Sequence, residues 1–248
     1  MSFPTTRWTL LAEATLAGDA HGQKALDDLC QAYRRPVEMF LGAKGVRNEE
    51  LEDVVQDFFL RWLRSRAWKR ADRERGRFRT FMLGGVVNTL AHHRSKGRAE
   101  KRGGGTEADS LDEMLADGIE PTCPSAADAM EFDRGWAVAL VENAVADIAR
   151  EMQARGRGDE FEVLRHFLPG ADETPTLEEA AERLGTNVNA VKAAVHRLRA
   201  RFRELVRAAV ASSVSAPHEV EEELQYLRSL LISQPKTRTS APQNGNKQ

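Results

Sequence analysis

Apolar residues recur at spacings of three and four along most of the chain, so the sequence predicts a succession of helices. Trp8, Leu11, Ala12 and Leu16 form one stripe, and Leu26, Leu29, Tyr33, Val37, Phe40 and Leu41 a second, in which Pro36 marks a kink or break. Leu51, Val54, Val55, Phe58, Phe59, Trp62 and Leu63 predict a stronger helix, with Asn48 as its cap and Glu49 and Glu50 in its first turn. That register leaves Asp53, Gln56, Asp57, Arg61 and Arg64 on the outer face. Periodicity lapses over the Arg-rich Arg66–Arg79 and returns over Thr80–Ser95, with Phe78, Phe81, Met82, Val86 and Leu90 apolar. Gly84 and Gly85 interrupt that helix at a cost of roughly 1 kcal/mol each relative to Ala, which a closely packed neighbour makes tolerable. Phe132, Trp136, Leu140, Ala144, Ile148 and Met152 predict a long helix that opens a second domain, whose core continues through Phe161, Leu164, Phe167 and Leu168. Ser215 and Pro217 mark one more helix start, with Val220, Leu224, Leu227 and Leu231 as its apolar side. So short a helix is marginal alone and must dock, with the domain before it the preferred place. Gln234–Gln248 is polar and expected to be disordered.

Between these lies the stretch around which the chain is organised, Thr176–Leu205. Thr176 and Glu179 have the spacing of a capping box, and Leu177, Ala180, Ala181 and Leu184 form a short apolar stripe. Gly185 breaks it, Asn187 caps a second helix, and Val191, Val195, Leu198, Phe202 and Leu205 carry the apolar side onward. Two short-coupled helices with small residues at the crossing predict a helix-turn-helix. From Asn187 to Ala209 six Arg or Lys oppose one acid, so the second helix is basic and suits a DNA major groove. A solvated basic helix within an all-α core is the plainer reading of the same pattern.

The net charge of −2 conceals a segregation. Arg61–Arg102 holds fourteen Arg or Lys against three acids, and Gly103–Asp133 holds nine acids and neither Arg nor Lys. Two basic surfaces around an acidic stretch suggest a polyanion held at two places. Trp62, Trp68, Phe78 and Phe81 lie among the arginines, where unstacked bases would find aromatic faces; the alternative is that these rings are core. Cys30 and Cys123 have no paired framework, so neither a disulfide nor a metal site is expected and a cytoplasmic location fits. His92 and His93 point to different helix faces and lack further ligands, so no metal or other cofactor is expected. No run reaches the length of a membrane span.

Taken together, Asp53-Val-Val-Gln-Asp57-Phe-Phe-Leu, Arg77-Phe-Arg-Thr-Phe81, Asn88, Ala190-Val-Lys192 and His196-Arg-Leu-Arg199 resemble a bacterial RNA polymerase sigma factor of the sigma-70 family. The blocks Thr6–Trp8, Ala71–Phe81, Lys101–Gly105 and Glu219–Leu224 look like an extracytoplasmic-function (ECF) group with a C-terminal extension. The resemblance implies an all-α protein of two helical domains. A sigma region 2-like domain would occupy 1–102 and a helix-turn-helix, region 4-like domain 131–211, with an acidic linker at 103–130 and the extension at 212–248. It implies no enzymatic activity. Its partners would be core RNA polymerase, through the β′ clamp and β flap, and promoter DNA, double-stranded at −35 and single-stranded at −10; an anti-sigma factor or other regulator is a further candidate.

The same resemblance distributes roles. Asp53, Gln56, Asp57 and Arg61 would dock on the clamp. Arg75, Arg77, Phe78, Arg79, Asn88, His92, Arg94 and Lys96 would engage the −10 element and its opened strand. Lys192, His196 and Arg197 would face the −35 duplex, with Asn189 and Ala193 near base edges and Arg199 and Arg201 nearer phosphates. The chain differs from many members at Thr186, usually branched and apolar, and at Ala193-Ala194, usually Ser-Arg. The second difference removes a donor and implies readout through shape, phosphates and methyl contacts. Two other classes compete. A stand-alone helix-turn-helix regulator would bind duplex DNA without polymerase. A nuclease would need a carboxylate cluster, of which Asp53 and Asp57 are the only close pair in the basic half.

Overall fold

The computed structural model describes residues 20–71, 77–101, 124–171, 173–214 and 216–232. The expected stripe at Trp8–Leu16, most of the acidic linker and the tail from Gln234 lie outside them. The described residues form eight α-helices with two short 3-10 turns and no strand, so the chain is all-α as its periodicity predicts.

Helix α1 spans Ala20–Ala43 and runs unbroken through Pro36. It crosses the later helix α4 there. A Cβ placed on Gly135 of α4 would lie 3.4 Å from Met39 Cβ and 3.5 Å from the Pro36 carbonyl oxygen, ordinary contact distances that show how closely α4 packs at the proline. Gly45, at φ +86°, ends α1 by turning the Val46 amide back to the Leu41 carbonyl at 3.1 Å. Helix α2 spans Asn48–Arg64, so Asn48 is its first helical residue; extended Arg47 is the cap and makes no side-chain cap bond. Arg66 takes a left-handed turn at φ 50°, and a 3-10 turn at Ala67–Arg70 sets Trp68 against Trp62, ring centroids 5.7 Å apart. Helix α3 spans Phe78–Lys101, with both Gly84 and Gly85 buried.

Helix α4, Ala126–Ala154, joins the two halves. A reciprocal capping box between Ser125 and Asp128 starts it, so the helix already runs through residues expected to be linker. Its first half is buried nearly all round by Phe132, Gly135, Trp136, Ala137, Ala139 and Leu140; its second half buries only the narrow stripe Ala144, Ile148 and Met152. Phe132, Trp136 and Leu140 join a core with α1, α2 and α3, and Ala144, Ile148 and Met152 join another with the helices that follow. The long helix therefore completes the first core before it opens the second. The sequence expectation that it belongs wholly to the second domain is corrected, because a single period of 3.6 does not say which partner covers each turn.

Helix α5 spans Gly158–Leu164 and continues as a 3-10 turn, Arg165–Phe167. Helix α6, Leu177–Arg183, opens on the Thr176–Glu179 capping box. Gly185, at φ +59°, carries the turn, and the Thr186 amide closes on the Ala181 carbonyl at 3.0 Å. Asn187 caps α7, Val188–Ala211, accepting from the Ala190 amide at 2.9 Å. Helix α8, Glu219–Ile232, does not rest on the second core: Val220, Leu227 and Leu230 are buried in the first. It meets α4 and the end of α7. Its buried line is Val220, Glu223, Leu227 and Leu230, rotated from the expected stripe, so Leu231 is 38% exposed.

Candidate polymerase and nucleic-acid interface

Burying Val54, Val55, Phe58, Phe59 and Trp62 turns the opposite side of α2 outward. Asp53 and Gln56 are exposed, and Asp57 and Arg61 are half-buried. Arg61 Nε donates to Asp57 Oδ1 at 2.8 Å, one turn apart. Leu60, 44% exposed, lies in the same row, a hydrophobe on a polar face. Counting helical register outward from Gln56 would have found it. The arrangement is a flat, acidic helical face with one apolar contact, suited to another helical surface that carries positive charge.

Helix α3 presents Thr80, Ala91, His92, Arg94 and Ser95 to solvent, with Asn88 half-buried on the same side. Arg94 Nη2 donates to the Lys44 carbonyl at 2.6 Å, which ties the exposed guanidinium to the end of α1. The start of α3 is different. Phe78 is 2% exposed and sits edge-on to Tyr33 at 5.4 Å, and Arg79 is also 2% exposed. Arg79 Nε donates to Asp133 Oδ1 at 2.6 Å, its Nη1 lies 2.5 Å from Glu223 Oε1, and its guanidinium covers the Trp136 ring at 5.0 Å. Burial pulls this guanidinium down, but the charges of Asp133 and Glu223 more than reverse the effect and leave it above its ordinary value. Arg77 remains half-exposed, with Nη2 2.8 Å from Glu223 Oε2. Phe78 and Arg79, expected to touch DNA, thus face the core in this conformation, as do Trp62 and Trp68. Arg75 and the Lys96 side chain lie outside the described residues.

On α7 the register separates the cations. Asn189, Lys192, Ala193, His196, Arg197 and Arg203 are exposed along one broad face. Lys192, His196, Arg197 and Arg203 enter no ion pair among the described residues. Arg199 and Arg201 lie on its two flanks and are tied inward. Arg199 Nε donates to the Phe167 carbonyl at 3.0 Å, and Arg201 pairs with Glu151 at 2.5 Å and with Glu204 at 3.1 Å. That pairing holds the Glu151 carboxyl below its usual range. Arg203, counted among the six basic residues of this helix but given no role at the duplex, falls in the same register as Lys192 and His196.

Residues 29–100 match the family model for sigma-70 region 2, which covers α2, α3 and most of α1. This stretch is similar to a sigma-70 region 2 domain. No curated protein and no solved structure matches the chain. The match spans less than a third of the chain and supports a sigma factor role in transcription initiation, a family whose region 2 implies binding to core RNA polymerase and promoter DNA. The two α2 and α3 faces are both within this region 2 domain, whereas α4 and α8, which complete its core, are outside the matched residues.

Among the described residues no group of three His, Cys, Asp or Glu is placed to hold a metal ion, and no helix is long and apolar enough to cross a membrane. His93 lies 3.5 Å from Glu50, away from any further ligand. Cys30 is a free thiol pushed up to about 11 by burial and by Asp27, which disfavours the reactive thiolate.

Proposed function

We propose that the chain is an ECF-type initiation factor that docks on core RNA polymerase and reads two promoter elements with separate helices. The α2 face of the region 2 domain carries polymerase recognition: Asp53, Gln56, Asp57 and Arg61 meet the β′ clamp coiled coil, with Leu60 as the apolar contact. The outer side of α3 engages the −10 element through Asn88, His92, Arg94 and Lys96, joined by Arg75 and Arg77; Phe78 and Arg79 shape the start of that helix from inside. The α6–α7 pair acts as a helix-turn-helix in the −35 major groove, and its domain also reaches the β flap. Asn189 and Ala193 approach base edges, and Lys192, His196, Arg197 and Arg203 supply charge. Arg199 and Arg201 contribute as positioned flanks beside the phosphates. The protein does no covalent chemistry. Binding extruded bases and phosphates offsets roughly 1.4 kcal/mol of lost stacking per base step.

The observation that carries this reading is the region 2 match coinciding with a helix whose polar face is free of the core. A test is reconstitution of the purified protein with bacterial core polymerase on a random promoter library. Transcripts that depend on the protein, with two enriched upstream blocks about one and a half to two helical turns apart, are expected. Selective duplex binding without polymerase association would replace the reading with a stand-alone regulator.

A further inference from the structure

Helix α8 carries a carboxylate where its buried stripe has room for a hydrophobe. Val220, Leu227 and Leu230 are buried on that line, and Glu223 between them is 1% exposed. Burying a carboxylate is unfavourable unless positive charge meets it, so docking of α8 is conditional on its partners. Glu223 meets two arginines, Arg79 at 2.5 Å and Arg77 at 2.8 Å. Tyr226, one turn on, donates its hydroxyl to Asp133 Oδ2 at 2.8 Å and turns its ring to the Arg77 guanidinium at 5.5 Å. Arg77 is thus held by an anionic oxygen and an aromatic face together. These are the two chemistries a single strand of nucleic acid offers, phosphate and base.

We propose that α8 is an internal latch that occupies the strand-binding arginines of the region 2 domain as a nucleic-acid mimic, and that strand capture requires its release. The inference rests on the reading of Arg77 as part of the −10 surface. The latch is built to let go. A fourteen-residue helix is marginal in isolation, so release amounts to unfolding one short segment. Its other polar ties include the exposed Arg207–Glu221 pair at 2.7 Å and a 3.4 Å bond from Arg134 Nε to the Leu230 carbonyl. Arg79 keeps Asp133 when α8 leaves, so the core is not left with an unpaired buried charge, while Arg77 becomes fully available.

The test uses the full chain and a fluorescein-labelled twelve-nucleotide single-stranded DNA of mixed sequence, read by anisotropy. Glu223→Gln is expected to bind the strand at least fivefold more tightly than the unmodified chain. Glu222→Gln, an equal change in net charge on the exposed side of α8, is expected to leave affinity unchanged. A second measurement needs no substitution: hydrogen exchange of the unmodified chain should show residues 220–230 losing protection as the strand saturates it, while α1 and α2 stay protected. Equal affinities for all three proteins, undetectable strand binding, or α8 protection unchanged at saturation would each overturn the latch. Capture on core polymerase, run in parallel, judges the proposed function separately: its loss in every protein removes the initiation reading and leaves the strand-binding result to decide the latch.

Discussion

The start of α3 and the outer face of α7 are both arginine-rich helical surfaces, yet their charges are used in opposite ways. At α3, Arg79 is enclosed by Asp133, Glu223 and Trp136, and Arg77 is held by Glu223 and Tyr226. On α7, Lys192, His196, Arg197 and Arg203 face solvent without an ion pair among the described residues. A buried guanidinium supports the fold and is costly to disturb; an exposed one contributes little to stability and is available to a polyanion. Charge counted along the sequence cannot tell them apart. The acids that decide the matter, Asp133 and Glu223, lie 54 and 144 residues after Arg79.

That contrast can be broken or sharpened by substitution. Arg79→Ala strands Asp133 and Glu223 in the first core and should cost about 3–5 kcal/mol, read as a lower urea midpoint; a loss under 1 kcal/mol would mean the network bears no load. Asn187→Ala removes the cap that starts α7 and should cost about 1 kcal/mol, with the second core loosening first in hydrogen exchange. Alkaline pH should act on the α3 side through Tyr226. Burial and the bond to Asp133 push Tyr226 up to about 12, above an unfolded tyrosine near 10. The unfolded chain therefore ionises first, so this contribution is whole below pH 10 and fades as pH rises towards 12. Tyr226→Phe should abolish that part of the pH dependence, read as the urea midpoint across the same pH range. Arg197→Ala should shift stability by no more than about 0.5 kcal/mol, yet lower transcription from −35-dependent templates. Equal output on every template would remove Arg197 from the duplex interface.

Local chemistry was the legible part of the fold. The Thr176–Glu179 box, the Gly185 turn and the Asn187 cap depend on residues within four positions of each other, and all three stand in the structure. The α2 register was equally legible, since seven apolar residues over three turns admit one buried face. What escaped depends on distant partners. Pro36 lies inside a helix that packs against Gly135 of α4, 99 residues later. Phe132 and Trp136 fill the first core because α1, α3 and α8 converge on that half of α4. The α8 stripe was read on apolar residues alone, and a charged residue displaced it because two arginines await Glu223. The candidate site divides likewise: outward positions on α2 and α7 follow from helical period, whereas the inward turn of Phe78 and Arg79 follows from tertiary packing.

The central claim is that the α2 face recruits core RNA polymerase. The direct measurement is sedimentation of core polymerase with the intact protein and, side by side, with Asp57→Arg, whose half-exposed site permits the change without loss of fold. The account predicts co-sedimentation of the intact protein and none of the variant, with unchanged thermal melting of the free variant. Equal co-sedimentation of both proteins, or of neither, would contradict it.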